Sequence, residues 1–237
     1  LRGLMAAPAP AGADWLVPDW PAPPGVWALC TTRTGGSSLP PYDSLNLGTH
    51  VGDDPAAVQA NRLALQAAVQ ARTPTARAVF LNQVHGNGVV HLDAATPDGT
   101  EADACVATAQ GAVCTIMVAD CLPVLFCNAS GTAVAAAHAG WRGLAAGVIE
   151  ATVQALRDVS PEQALMAWLG PCIGPTAFEV GDEVREAFVS VDAGSASAFV
   201  PQGSGKHLAD LAALARRRLL ASGVTSVHGN DGTDAWC

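Results

Sequence analysis

The sequence is poor in charged and aromatic residues, which make up 14% and 5% of its 237 residues. Half of the residues are apolar, so a large core can form, and the scarcity of rings predicts close backbone packing. The formal net charge is −9. Because nucleic acids and anionic membranes attract clusters of Lys and Arg, we expect neither as the main partner. A local basic pocket for a small phosphate or nucleotide remains compatible with this balance.

Long apolar runs and secretion signals are also missing. The longest uncharged runs, residues 104–119 and 121–137, are interrupted by residues such as Gly, Pro and Asn, which suits buried strands and not a membrane span. Residues 1–24, rich in Pro and Ala, lack the basic and apolar regions of a signal peptide and are predicted to form an extended leader. The seven cysteines show no disulfide-framework spacing, which favours a reducing compartment. We therefore expect a cytoplasmic protein.

Neither an internal repeat nor a long linker divides the chain, so residues 25–237 are predicted to form a single domain. Short apolar strands are predicted at 112–119, 122–127 and 132–137. Helices are predicted at about 55–70, where Asp53-Asp54-Pro55 provides a start signal, and at 143–157 and 207–221. Strand runs mixed with helices indicate an α+β domain of stacked layers.

The close Cys-x-x-Cys spacing of structural zinc sites is absent, and the six histidines include no His-x-His pair for a multicopper cluster. What remains is His85, Cys121 and His138, each at the end of a predicted strand and separated by 36 and 17 residues. Strand ends that meet at one rim can hold side chains in fixed geometry. Three protein ligands with an open fourth position are typical of catalytic zinc. The same atoms can also form a Cys nucleophile with a His base.

Candidate anion-binding and proton-transferring residues lie next to these ligands. Arg142 and Gly143 follow His138 at the predicted start of a helix, where free N–H groups and an arginine can bind phosphate. Arg33, in a glycine-rich loop, is a second candidate. Asp120, which precedes Cys121, is unsuited to the interior of a central strand, so we expect a break there that exposes the thiol.

Short sequence blocks along most of the chain together resemble the laccase-domain (YfiH-type) family, variously named polyphenol oxidase, purine nucleoside phosphorylase and peptidoglycan editing factor. The blocks are Thr31-Thr32-Arg33-Thr34-Gly35-Gly36, Leu45-Asn46-Leu47, Val51-Gly52-Asp53-Asp54, Gln83-Val84-His85-Gly86, Ala102-Asp103-Ala104, Ala119-Asp120-Cys121-Leu122-Pro123, His138-Ala139-Gly140-Trp141-Arg142-Gly143 and Gly170-Pro171-Cys172-Ile173-Gly174. The family usually continues into a Cys-Thr segment and a Phe-Ser-x-Arg-Arg stretch, whereas this sequence ends at Cys237.

The resemblance implies a four-layer α/β/β/α fold related to cysteine-hydrolase toxin domains. It implies His85, Cys121 and His138 as metal ligands, with zinc the expected ion, and Asn46 as a substrate-binding residue. It also implies phosphorolysis of adenosine, guanosine, inosine and methylthioadenosine, with adenosine deamination as a further activity. Cys121, His138 and Asp120 would then be the catalytic residues, with Asp103 an alternative acid or base.

Three other functions are compatible with the same residues. One is a cysteine hydrolase or amidase with Cys121 as nucleophile, acting in peptidoglycan-precursor editing. Another is a copper polyphenol oxidase, for which a single copper in a His₂Cys site is easier to accommodate than a cluster. The last is a non-catalytic metal-binding module whose fourth ligand comes from a partner. The sequence gives no oligomeric state.

Overall fold

A six-stranded mixed sheet organises the fold in the computed structural model, which describes residues 14–161 and 163–237. The strands are β1 (Arg77–Phe80), β2 (Val89–His91), β3 (Ala104–Ala107), β4 (Ala112–Thr115), β5 (Leu122–Asn128), β6 (Val134–Ala139), β7 (Leu165–Leu169), β8 (Glu179–Gly181), β9 (Phe199–Gly203), β10 (Lys206–Ala209) and β11 (Ser226–Gly229). The helices are α1 (Pro55–Arg72), α2 (Trp141–Ala145), α3 (Val148–Val159), α4 (Asp182–Val189) and α5 (Leu211–Ala221), with short 3-10 helices at Ala193–Ala198 and Asp234–Trp236. The large sheet has the order β11-β7-β5-β6-β3-β2.

Alternating side chains of this sheet pack into two cores. Along β5, Leu122 and Val124 belong to the core shared with α3 and α5, whereas Leu125 packs toward the parallel β1–β4 pair. Successive strand residues point to opposite faces, so one sequence fills both cores. On its outer face the β1–β4 pair packs against Leu65 and Val69 of α1. The layers therefore run helix, sheet, sheet, helix, which confirms the predicted α+β domain with four-layer α/β/β/α stacking.

Two of the predicted helices need correction. The helix expected at 143–157 is in fact two helices, α2 and α3, separated at Gly147, whose φ of +92° is a left-handed conformation that glycine tolerates. The helix expected at 207–221 begins only at Leu211, because β10 occupies Lys206–Ala209 and pairs with β8 and β9. The helix after Asp54 is confirmed as α1, and the Asp54 side chain accepts from the backbone N–H of Ala56 at 3.0 Å.

The predicted leader, residues 1–24, lies partly outside the described residues, which begin at Asp14. Within its described part, Leu16 forms an isolated antiparallel bridge with Cys30, and Trp15 packs against the core under α1. The boundary at residue 24 remains a prediction. Among the described residues, no helix is long and apolar enough to cross a membrane, and all seven cysteines are free thiols.

Candidate metal centre

Three separate segments bring His85, Cys121 and His138 together. His85 lies in the loop that follows β1, Cys121 directly precedes β5, and His138 lies inside β6. Antiparallel pairing of β5 with β6 aligns Leu122 with Ala139, which places Cys121 beside the end of β6. The prediction that all three residues end strands is therefore wrong in detail: His85 lies well past the end of β1, and β6 continues beyond His138. Their meeting at one rim of the sheet is observed.

The geometry of the three side chains suits a single metal ion. Their ligand atoms all lie within 4.8 Å of one another, and the Cys121 Sγ is 3.8 Å from the His85 Nε2. Tetrahedral zinc with ordinary bond lengths places nitrogen and sulfur ligands about 3.6 Å apart. Within the part of the chain that the structure describes, no other group of three His, Cys, Asp or Glu residues is this close. The donor set and the spacing both fit zinc.

A glycine makes this close approach feasible. A Cβ built on Gly140 would lie 2.7 Å from the Cys121 Sγ and 3.0 Å from the His85 Cδ2. The Gly140 backbone has φ −65° and ψ 159°, which any residue adopts. Glycine is therefore required here because the Cys121 thiol and the His85 ring leave no space for a Cβ, and not because of the backbone conformation.

Gln83 links the loop of His85 to the segment of Cys121. Its side-chain Nε2 donates to the carbonyl of Met117 at 2.8 Å, and its Oε1 accepts from the Met117 N–H at 2.9 Å. The amide side chain thus pairs with the backbone in both directions, as a neighbouring strand would. Sequence reasoning missed this role, although Gln83 stands in the Gln-Val-His-Gly block.

Asp103 is buried too deeply to act as a general acid or base on a substrate. Its side chain is fully buried, and it accepts hydrogen bonds from His138 and from the backbone of the His85 loop. A carboxylate enclosed in this way does not face a substrate. Asp120, by contrast, is exposed, and its carbonyl accepts from the Ile173 N–H at 2.9 Å. Asp120 is therefore the better placed of the two to exchange a proton with a bound molecule.

The environment favours neutral ligands in the metal-free protein. Burial, followed by the charges of Asp120 and Asp103, raises the pKa of the Cys121 thiol. Burial also lowers the pKa of His138, and this effect outweighs the opposite effect of the hydrogen bond that the ring donates to Asp103. A protonated thiol is a weak nucleophile, whereas a metal ion binds the thiolate by displacing the proton. The electrostatics therefore disfavour Cys121 as a nucleophile in the metal-free protein.

The predicted anion-binding residues differ in their availability. The Arg142 guanidinium stacks over the Trp141 ring at 4.4 Å, and among the described residues no carboxylate pairs with it. Arg33 is engaged: its Nε donates to the Asp43 carbonyl at 2.7 Å, and a terminal nitrogen lies 3.3 Å from the Asp43 carboxylate. An exposed, stacked guanidinium without a carboxylate partner is suited to binding an anion.

Asn46 and Gly143 have structural contacts of their own. The Asn46 side chain donates to Asp53 at 2.9 Å and accepts from the Gly48 N–H at 2.9 Å, which orders its loop. Gly143 is buried, and a Cβ there would lie 2.7 Å from the carbonyl of Gly86 in the His85 loop. Gly143 thus permits close packing of α2 against that loop. Since α2 has only five residues, its dipole contributes less to anion binding than a full helix would.

Fold and site together define an α+β protein of the laccase-domain class with a His85, Cys121 and His138 cluster that could hold a metal ion. Residues 27–237 match the family described as multi-copper polyphenol oxidoreductase laccase, and the chain belongs to that family. It is 55% identical over 216 residues to purine nucleoside phosphorylase YfiH of Escherichia coli, covering 91% of this chain and 86% of that protein. It is 45% identical over 217 residues to a purine nucleoside phosphorylase of Haemophilus influenzae, covering 90% of this chain and 86% of that protein.

Solved structures agree with the fold. A crystal structure of Neisseria meningitidis protein NMB0706 superposes with a TM-score of 0.84 at 50% identity, covering 92% of this chain and 87% of the other. YlmD of Geobacillus stearothermophilus superposes with a TM-score of 0.79 at 29% identity, covering 88% and 82% of the two chains. The family resemblance predicted from the sequence blocks is confirmed.

Proposed function

We propose that this protein is a cytoplasmic, zinc-dependent purine nucleoside phosphorylase that accepts adenosine, guanosine, inosine and methylthioadenosine and also deaminates adenosine. The observation that carries the proposal is the His85, Cys121 and His138 cluster, in a chain 55% identical to a relative named purine nucleoside phosphorylase. We expect nucleosides and phosphate as partners, and neither nucleic acid nor membrane.

His85, Cys121 and His138 would hold the zinc ion. One thiolate and two imidazoles form a set that zinc prefers, and with three protein ligands zinc would keep one coordination position for water or substrate. Bound there, zinc supplies Lewis acidity that polarises a substrate oxygen or acidifies a water molecule. Copper also accepts a His₂Cys set, so metal content must be measured.

Arg142 would bind the attacking phosphate. Its guanidinium is exposed and held by stacking on Trp141, so it can offer two parallel N–H groups to phosphate oxygens. Arg33 would add a second contact once it exchanges Asp43 for the anion, while Asn46 and Gly143 shape the surrounding loops. A phosphate oxygen then attacks C1′ of the ribose as the bond from C1′ to the purine breaks, giving ribose 1-phosphate and the free base.

Asp120 would supply the proton for the leaving base. Its side chain is exposed and adjacent in sequence to Cys121, so its carboxyl group can approach a nucleoside bound at the centre. Protonation of the purine ring at N7 makes the base a better leaving group.

The decisive test combines metal analysis with phosphate-dependent adenine release from adenosine. Wild type should contain about one zinc per chain, and Cys121→Ala should lose both zinc and turnover. Cys30→Ala is the matched control, because Cys30 is a partly buried thiol outside the cluster. The phosphorylase proposal fails if zinc-loaded wild type releases no adenine in the presence of phosphate.

A cysteine hydrolase is the second candidate, favoured by the 3.8 Å contact between the Cys121 Sγ and the His85 Nε2. It predicts that metal-free protein is active on an amide substrate and that alkylation of Cys121 abolishes this activity stoichiometrically. Inactivity of the metal-free protein together with full activity after zinc addition would reject it. Copper in place of zinc in protein purified from its own cells, with oxidation of phenols, would instead support the oxidase.

A further inference from the structure

We propose that Asp103 is the positioning residue of the centre: one buried carboxylate that fixes both His85 and His138 for metal binding. The inference rests on the proposed use of the three side chains as a metal site. Among the described residues, the hydrogen bonds of the Asp103 side chain go to His138 and to the His85 loop, and not to Cys121. Asp103 acts through the two histidines and is not a catalytic residue.

Four donors converge on the Asp103 carboxylate. Its Oδ1 accepts from the His138 Nδ1 at 2.8 Å and from the His85 N–H at 2.9 Å. Its Oδ2 accepts from the N–H groups of Val84 and Gly86 at 3.2 and 2.7 Å. The Asp103 side chain has no solvent exposure. A carboxylate is stable at such a site only because these donors replace water.

The contact with His138 selects which ring nitrogen faces the metal. A carboxylate oxygen accepts a hydrogen bond, so the His138 Nδ1 must carry the proton. The lone pair then lies on Nε2, the nitrogen left free for a metal ion. The backbone adds to this alignment, because the His138 N–H donates to the Asp103 carbonyl at 2.7 Å across the β3–β6 pair.

The contact with His85 operates through the backbone. His85 has φ +62°, a left-handed conformation that is unfavourable and therefore rare for a residue with a side chain. In the turn at residues 84–86, three successive N–H groups point at one carboxylate, an arrangement that binds anions. The covalently tethered anion thus offsets the unfavourable conformation and fixes where the His85 ring projects.

Cys121 provides an internal reference, because it is held by β5 and by the Gln83 link to Met117, not by Asp103. Loss of the Asp103 carboxylate should therefore disturb two of the three ligands and leave the thiolate in place. A general loss of folding would disturb all three. This difference separates a positioning role from a structural one.

The experiment compares Asp103→Asn with wild type by chelator competition for Zn²⁺ and by the visible spectrum of the Co²⁺ form. Asparagine keeps the shape of aspartate, but its amide NH₂ group would face the N–H groups of His138 or of the His85 loop and could not accept their hydrogen bonds. We therefore expect zinc affinity to fall by about 10- to 100-fold. The thiolate-to-cobalt charge-transfer band should persist while the ligand-field bands weaken, as water replaces imidazole. Zinc affinity within about twofold of wild type, with an unchanged cobalt spectrum, would overturn the proposal.

Asp182→Asn is the matched control. Asp182 also pairs with a histidine, its Oδ1 lying 2.7 Å from the His207 Nε2, but its side chain is exposed and neither residue belongs to the cluster. This variant should bind zinc and cobalt as wild type does. An equal loss of affinity in both variants would mean that Asp103 acts only through general stability, and would refute the positioning role.

A second measurement needs no variant at Asp103. Long-range proton–nitrogen NMR spectra of the metal-free wild type, with His138 assigned through His138→Gln, should show a neutral ring protonated at Nδ1. A ring protonated at Nε2 would contradict the proposal even if Asp103→Asn failed to fold. Failure of wild type to bind zinc or cobalt would reject the metal site itself, and the tautomer would still decide the role of Asp103.

Discussion

Gly140 allows the backbone to come close to the thiol of Cys121. A Cβ at this position would lie 2.7 Å from the Sγ, a distance that real Cβ atoms do not tolerate. The same atom would approach the His85 ring to 3.0 Å. Cys121 and His85 come from distant parts of the chain and therefore meet beside the backbone of Gly140. The geometry of the cluster thus depends on Gly140, a residue that has no side chain to offer as a ligand.

Gly140→Ala should weaken zinc binding with little effect on the backbone. Overpacking of this kind costs about 1–3 kcal/mol, and if the ligands absorb it, zinc affinity falls by about tenfold. Gly88→Ala is the control, since the nearest atom to its added Cβ is 3.8 Å away. Chelator competition measures the difference. Unchanged affinity in Gly140→Ala would show that Cys121 and His85 can move apart without loss.

Gln83→Ala should separate the His85 loop from the Cys121 segment. The substitution removes the partners of the Met117 N–H and carbonyl, which costs about 1–3 kcal/mol of unfolding free energy for partly buried groups. We expect zinc affinity to fall in addition, because the two ligands lose their common support. Denaturant unfolding and chelator competition on the same samples measure the two effects.

Gln66→Ala tests whether the effect of Gln83 is local. Gln66 makes the same two-way contact elsewhere, donating to the Ala76 carbonyl at 2.6 Å and accepting from the Ala78 N–H at 3.0 Å. This variant should lose comparable stability yet bind zinc normally. If both variants bind zinc equally, the link between Gln83 and Met117 serves folding alone.

The layered fold and the three side chains that form the cluster could be predicted from the sequence. Apolar runs of strand length around residues 122–137 indicated a buried sheet, and Asp54 with Pro55 marked the start of α1. His85, Cys121 and His138 stood out by chemistry and by the family blocks. Donor atoms are visible in a sequence because their chemistry does not depend on the fold.

The supports of the centre could not be predicted in the same way. Asp103 acquires its role only when β3 pairs with β6 and the His85 loop adopts a left-handed turn. Arg33 looked available until the structure paired it with Asp43. The sequence predicts helix from residue 207, whereas Lys206–Ala209 forms a strand, because tertiary pairing with β8 and β9 overrides the local preference. Each of these depends on contacts between distant segments.

Zinc binding should release about one proton near neutral pH, and affinity should rise with pH. The raised pKa of Cys121 keeps its thiol protonated in the metal-free protein, while the lowered pKa of His138 leaves that ring neutral. Below the thiol pKa, a ligand that must lose one proton gains about tenfold in affinity per pH unit. Calorimetry in buffers of different ionisation enthalpy counts the protons. Affinity that is constant between about pH 7 and 8 would show that Cys121 is not a ligand.

Arg142→Ala should raise the KM for phosphate by about tenfold or more, because it removes a charge-assisted contact without a substitute. Arg33→Ala should raise it by less, since that guanidinium must first leave Asp43. The two exposed arginines thus serve as controls for each other, and the KM for adenosine should change little in both. Steady-state rates at varied phosphate give the values. A larger effect at Arg33 than at Arg142 would place the anion on the loop of residues 33–43, away from the helix that follows His138.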